Sequence, residues 1–289
     1  MNISEFIEHK FPKDIILSGV KEEEKQQTNW YYENAKADAI YEFNSISKYI
    51  TKDIKILEVG GGLHFLSIFL NKNGYNVTSL EPGGFSDYIN IMRNNVLKIA
   101  SHLNINIITS SLEKFSDENI NNKYDFIFSI NVLEHTEDIK IHIKKCLNIL
   151  SSNKGLLLIK CPNYFFPFES HFYKFFIPFL PKFTFEKLMK IKLIKNLGKK
   201  RYFDILNHLN FDCDYRKIKK FGFTIKFLNP LEDIFNRVEI DNSFKNRLFS
   251  NKLIKITYKI LVLLKLKKLI INLFPISFNP YLIMEIKKQ

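Results

Sequence analysis

Short runs rich in apolar residues recur along the first half of the chain at 54–59, 76–80, 105–109, 124–130 and 155–159. Between them lie stretches with helical spacing of their apolar positions, at 65–72, 86–102 and 137–150. The first kind of run predicts strands buried on both faces and the second predicts helices that cover them. Strand and helix alternating in this way indicate a parallel sheet wound on both sides. A further helix is expected over 34–50, leading into the first strand. The alternation stops at Cys161. The stretch that follows, "PNYFFPFESHFYKFFIPFLPKF", is crowded with aromatics and prolines and has no clean period. A helix and a strand return over 212–227, 231–274 is largely helical, and a last strand begins at Tyr281. The expectation is an α/β chain, doubly wound around a mostly parallel seven-stranded sheet. An N-terminal helical extension covers 1–52, and the main domain over 53–289 carries an aromatic, lid-like insertion at 162–200 and a helical insertion at 229–277 before the last strand.

The chain has only ten glycines, and three of them, Gly60, Gly61 and Gly62, stand together directly after the first strand. Glycine there implies backbone that turns sharply or lies against something a side chain would block. In open α/β sheets ligands bind at the carboxyl ends of strands, so this loop lies where a nucleotide-like cofactor would sit. Glu81 ends the second strand, about 20 residues on, which is the spacing of a carboxylate that holds the two hydroxyls of a ribose. On spacing alone NAD would fit equally well. The loop separates the two: G-x-G-x-x-G would need a third glycine where Phe65 stands, and Glu58, two residues before Gly60, would repel a pyrophosphate. A cofactor bearing an ammonium and a sulfonium would welcome that carboxylate. The competing reading of the three glycines is a tight turn with no ligand.

These residues, with "LEVGGG" as a first motif and "YDFIFSINVLEHTED" as a fourth strand and its following loop, resemble the class I S-adenosylmethionine-dependent methyltransferases of the small-molecule type. The resemblance is strongest over 54–162. It implies a Rossmann-like methyltransferase fold and S-adenosyl-L-methionine as cofactor. It also implies that Glu58 and Gly60 to Gly62 cradle the methionine part, that Glu81 holds the ribose, and that Asn131 lies near the methionine or the reacting methyl. Ser111 and Leu112, in "TSSLEKF", fall at the adenine. Two positions depart from the family: His64 stands at the usual third glycine, and Ser111 replaces an aspartate that often receives the adenine amino group. A non-catalytic binding module of the same fold is the reading those departures leave open, and a Rossmann-type NAD-dependent oxidoreductase or epimerase is the other alternative.

Methyl transfer to a hydroxyl needs alignment and removal of a proton. Candidate bases are His135, after the fourth strand, and the pair Glu169 and His171 in "FPFESHF", after the fifth. A packing histidine and a surface turn are the plain alternatives, and Glu134 reads as a helix cap. The segment 165–183 is expected to form a lid over the acceptor pocket, with core or dimer packing as the competing view.

The formal charge of +13 suggests an acidic partner. The lysines are scattered, however, and accompany a general excess of Asn, Ile and Phe. Nucleic acid is disfavoured as acceptor, because the loop after the fourth strand reads "NVLEH" rather than [DN]PP[YF] and no RNA-binding module is visible. A small-molecule, glycan or lipid-linked acceptor, methylated on oxygen, is expected. Cys146, Cys161 and Cys213 form no CxxC, which indicates neither a disulfide framework nor a metal site. The first residues lack the pattern of a secretory signal, and the most apolar stretch, 253–274, is interrupted by five lysines. The chain is expected to be cytoplasmic, with peripheral membrane contact through Lys252, Lys255 and Lys259 on one helical face, a face that Lys265 and Lys268 would spoil.

Overall fold

The computed structural model describes residues 1–83, 86–103, 105–115, 123–151, 155–169, 174–177, 180–190, 206–250 and 252–288. Its strands are β1 (Lys55–Val59), β2 (Asn76–Leu80), β3 (Asn106–Ile108), β4 (Phe126–Ile130), β5 (Leu156–Pro162), the short pair β6 (Phe168–Glu169) and β7 (Lys174–Phe175), then β8 (Ile225–Leu228) and β9 (Tyr281–Lys287). Seven of them form one sheet in the order β3-β2-β1-β4-β5-β9-β8. β2 and β4 flank β1 in parallel, β3 runs parallel to β2, and β8 pairs antiparallel with β9. This is the doubly wound, mostly parallel sheet expected of a Rossmann-like methyltransferase fold.

The helices are α1 (Ile3–Lys10), α2 (Lys13–Ile16), α3 (Lys25–Ile46), α4 (Phe65–Lys72), α5 (Asp87–Ala100), α6 (Ile139–Ile149), α7 (Pro181–Lys190), α8 (Tyr215–Lys219), α9 (Pro230–Ile240), α10 (Asn242–Phe249), α11 (Lys252–Leu263) and α12 (Lys267–Leu273). The helix expected over 34–50 lies earlier, at α3, and α1 and α2 fall in the stretch expected as an N-terminal helical extension. By Cα packing the chain divides into two compact units, one of Met1–Ile130 with His142–Leu158 and Lys287–Gln289, the other of Asn131–Ile141 with Ile159–Ile286.

In the first unit, α4 buries six consecutive residues, Phe65 to Leu70. A helix apolar on all sides must be covered on all sides. The sheet covers one side, at β2, and the N-terminal helices the other. Phe6 meets Phe69 at 5.4 Å, Phe11 meets Phe65 at 5.3 Å and Phe43 meets Phe69 at 5.4 Å between ring centres. The Tyr32 hydroxyl donates to the Phe11 carbonyl at 2.8 Å, and burial pushes its pKa up to about 12. Asn95 on α5 donates to the carbonyls of Ile16 and Ser18, fastening the turn after α2.

In the second unit, Asn163 is the bracket. Fully buried, it donates from its side chain to the carbonyls of Ser277 and Asn279 and accepts from the Tyr215 amide, while its own N–H donates to Pro280. The interior here is aromatic. Tyr164 lies 4.7 Å from Phe211, and Phe176 lies 5.7 Å from Phe185 and 6.0 Å from Phe211. Of the rings in the stretch expected as a lid, Phe176 is buried in this interior and Phe168 is buried against Phe175, whereas Phe175 and Phe183 are exposed.

Candidate functional site

The turn after β1 is built from left-handed backbone. Gly60, Gly62 and His64 have φ of 90°, 52° and 61°. Glycine adopts such angles freely, and a non-glycine residue there is uncommon. The Gly60 amide donates to the Leu80 carbonyl at 2.8 Å, so the loop folds back over the end of β2. A Cβ on Gly61 would lie 2.1 Å from Ser79 Oγ, 2.6 Å from His64 Nδ1 and 2.8 Å from Glu58 Oε2, so that position admits no side chain. Gly62 has nothing within 4 Å of where its Cβ would be. The underside of the loop is packed and its opposite side is open at Gly62.

Beneath the loop lies a polar chain that the sequence reading did not foresee. β1 and β2 pair Glu58 with Ser79, which puts both on one face of the sheet. Ser79 Oγ donates to Glu58 Oε2 at 2.5 Å and lies 2.9 Å from His64 Nδ1. All three residues are buried. Burial pushes the Glu58 carboxyl up to about 7 and the His64 imidazole down to about 3, so the histidine is neutral. Glu58 therefore meets the loop from below, bonded to Ser79. The nonlocal pairing of two strands creates this contact, and no local spacing in the sequence signals it.

Glu81 lies at the loop's edge. Its Oε2 accepts from the Gly62 amide at 3.1 Å and its Oε1 from the Gly83 amide at 3.0 Å, with Arg93 Nη1 at 4.0 Å. Burial raises its pKa against the pull of both amides and of Arg93. A carboxylate oxygen has room for about two hydrogen bonds, so the two amides orient Glu81 and leave it capacity for a pair of hydroxyls. Ser111 and Leu112 follow β3. Leu112 is buried, and the Ser111 hydroxyl bonds the Glu113 carboxylate, which His142 at 3.2 Å holds down at a pKa of about 2.

In the second unit, Asn131 directly follows β4 with φ of 57°, its amide donating to the Lys160 carbonyl at 2.9 Å and its side chain exposed. Left-handed backbone in a residue other than glycine is a local strain that concentrates at functional positions. The next turn, Leu133–His135, is fastened by Asn210, whose amide donates to the Glu134 carbonyl and whose side chain donates to that of Thr136. His135 is half-buried. Glu134 is fully buried rather than placed as a cap, and Asp138 caps α6 instead by accepting from the Ile141 amide at 2.8 Å. Glu169 on β6 is also fully buried. Burial first, then the carboxylates of Glu169 and Glu134, holds the Tyr164 phenol far up in its protonated form. Sequence reasoning missed Tyr164 because it is one ring among many in an aperiodic stretch. His171 lies outside the described residues. The three cysteines are buried free thiols.

A family model described as a methyltransferase domain matches residues 29–210. Two curated relatives from strains of Mycobacterium tuberculosis, the uncharacterized proteins Rv1509 and MT1557, are each 34% identical over 119 residues, 40% of this chain. The match spans 39% of the length of these relatives. Among solved structures, the plantazolicin methyltransferase BpumL in complex with SAH aligns over 99% of this chain and 98% of its own, at 15% identity and a TM-score of 0.46. The CcbJ methyltransferase of Streptomyces caelestis aligns over 46% of this chain and 51% of its own, at 15% identity and a TM-score of 0.36.

Proposed function

The chain belongs to the methyltransferase-domain family, and from that premise we propose that it transfers the methyl group of S-adenosyl-L-methionine to a hydroxyl of a small-molecule, glycan or lipid-linked acceptor. The observation that carries the reading is the Glu81 carboxylate, oriented by the amides of Gly62 and Gly83 beside a loop that is open at Gly62. That arrangement fits a ribose at the end of β2. The bound cofactor supplies a methyl on a sulfonium, and in-line approach of the acceptor is the main remaining requirement.

Glu81 accepts the two ribose hydroxyls. Gly60, Gly61 and Gly62 hold the backbone against the methionine part, and Glu58 supports them from beneath through its bond with Ser79. Ser111 and Leu112 border the adenine, and Asn131 is assigned to the methionine end by its place in the sequence after β4. An oxygen acceptor has to lose a proton, and His135 and Glu169 are the candidate bases, with His171 a third by its place in the sequence. Glu169 is enclosed with Tyr164, which suits a role that begins only once an acceptor has opened that contact.

The test is to incubate the protein with S-adenosyl-L-methionine and separate panels of sugars, amino sugars, nucleotide sugars, phenols and lipid-linked glycans. Release of S-adenosylhomocysteine and mass gain of the acceptor are then followed. Methylation at a hydroxyl, reduced by His135→Ala or Glu169→Gln with cofactor affinity unchanged, is the expected result. Methylation of amine acceptors alone would overturn the oxygen assignment.

A further inference from the structure

The segment between α9 and β9 has an unusual surface. From 242 to 284 the chain carries eight lysines and arginines and no aspartate or glutamate. Among the described side chains from Lys252 to Phe278, none is buried. The exposed ones include Ile256, Ile260, Leu263, Leu269 and Leu273, with Leu263 at 80% and Leu273 at 69%. Large exposed apolar side chains are concentrated here rather than scattered singly, and a concentration of that kind marks an interaction surface.

The geometry removes the objection that Lys265 and Lys268 disturb the helical face. α11 ends at Leu263, and Lys265, with φ of 55°, makes the turn into α12. On α11 itself, Ile256, Ile260 and Leu263 recur at helical spacing on the exposed side, flanked by Lys252, Lys255 and Lys259, while Ile254, Tyr258 and Leu261 are half-buried. Lys267 pairs with Glu239 and lies over the rings of Phe235 and Tyr258, which fastens the hairpin to α9. α11 has twelve residues, about 18 Å of helix, against the roughly 30 Å of a bilayer's hydrocarbon core. Among the described residues no helix is long and apolar enough to cross a membrane.

We infer that the α11–α12 hairpin is a docking surface for an anionic lipid bilayer, lying in the interface with its aliphatic side chains inserted and its lysines reaching the headgroups. Lysine stems can lie along apolar surface while the ammonium stays with the phosphates. A second copy of the chain fits this surface poorly. A two-fold contact would set its basic residues against the same residues of the partner, and lysine is depleted from the centres of protein interfaces.

The test is co-sedimentation of the full chain with phosphatidylcholine vesicles that contain phosphatidylserine, against phosphatidylcholine alone, at low and high salt. Binding to the first, weakened by salt, is expected. Lys255→Gln and Lys259→Gln are each expected to lower the partition coefficient about fivefold, and Ile260→Asp with Leu263→Asp to abolish binding. All four positions are exposed, so far-ultraviolet circular dichroism should be unchanged. No binding to anionic vesicles at low salt would overturn the inference. So would binding that survives both sets of substitutions. A concentration-dependent dimer that the aspartates disperse, without vesicle binding, would assign the surface to a second copy and overturn it equally.

Discussion

Beneath the glycine loop, Glu58, Ser79 and His64 are buried in one chain of hydrogen bonds among aliphatic strand residues. In the stretch after β5 the interior is instead made of rings, with Tyr164, Phe176, Phe185 and Phe211 meeting at centre distances of 4.7 to 6.5 Å. The first interior depends on particular atoms, because each buried polar group relies on the next and removing one strands the others. The second depends on volume, since rings at these distances interlock through shape and only weakly through orientation. The two regions should therefore answer differently to substitutions of the same nominal severity.

The largest effect belongs to the ring interior. Phe185 is fully buried, and Phe185→Ala should cost about 3 to 5 kcal/mol of stability by denaturant titration. Phe185→Leu should cost less than about 1.5 kcal/mol, and a leucine as damaging as the alanine would break the contrast.

Next comes the charge under the loop. The folded protein holds the Glu58 proton up to a pH of about 7, above the ordinary value of 4.5. The contribution of this group to stability is therefore fully present below pH 4.5 and is lost as pH rises through 7, by about 3 kcal/mol from a shift of this size. His64 acts oppositely. Its pKa falls from 6.5 to about 3, so its contribution is present above pH 6.5 and is lost as pH falls. Glu58→Gln should remove the Glu58 loss between about pH 4.5 and pH 7 and leave the loss that His64 causes on the acid side, which stability measured from pH 4 to pH 8 resolves. An unchanged dependence between about pH 4.5 and pH 7 would place the Glu58 carboxyl outside the buried chain. The smallest effect is Ser79→Ala, which deletes the middle link and should cost about 1 to 3 kcal/mol although it removes a single oxygen. A neutral Ser79→Ala would mean that the polar chain contributes nothing and that both interiors are governed by volume.

The same contrast explains what could be read from the sequence. β2 and α4 match their expected bounds, because a run bounded by Asn and Gly, or an apolar helix ended by Asn73 and Gly74, carries its own punctuation. β5 was expected to stop at Ile159 and continues to Pro162. The continuation includes Lys160, a buried lysine whose ammonium meets Asp233 at 3.0 Å, a partner 73 residues away. The positions of Gly60 to Gly62 and Glu81 were legible from local spacing. The bond from Glu58 to Ser79 was not, because it arises from strand register. Left-handed backbone at His64 and Asn131 had no signal either, since neither residue type demands it. Among the described residues of 162–190 the rings of Tyr164, Phe176 and Phe185 each face more than one neighbour, and no single period describes them.

The central claim is that the loop and Glu81 form the cofactor site, and calorimetric titration with S-adenosylhomocysteine tests it most directly. The protein should bind one equivalent, NAD should give no heat, and Glu81→Ala should weaken the binding by about 1.5 to 3 kcal/mol, the scale of hydrogen bonds to a charged group. Absence of S-adenosylhomocysteine binding, or undiminished affinity in a folded Glu81→Ala protein, would contradict it.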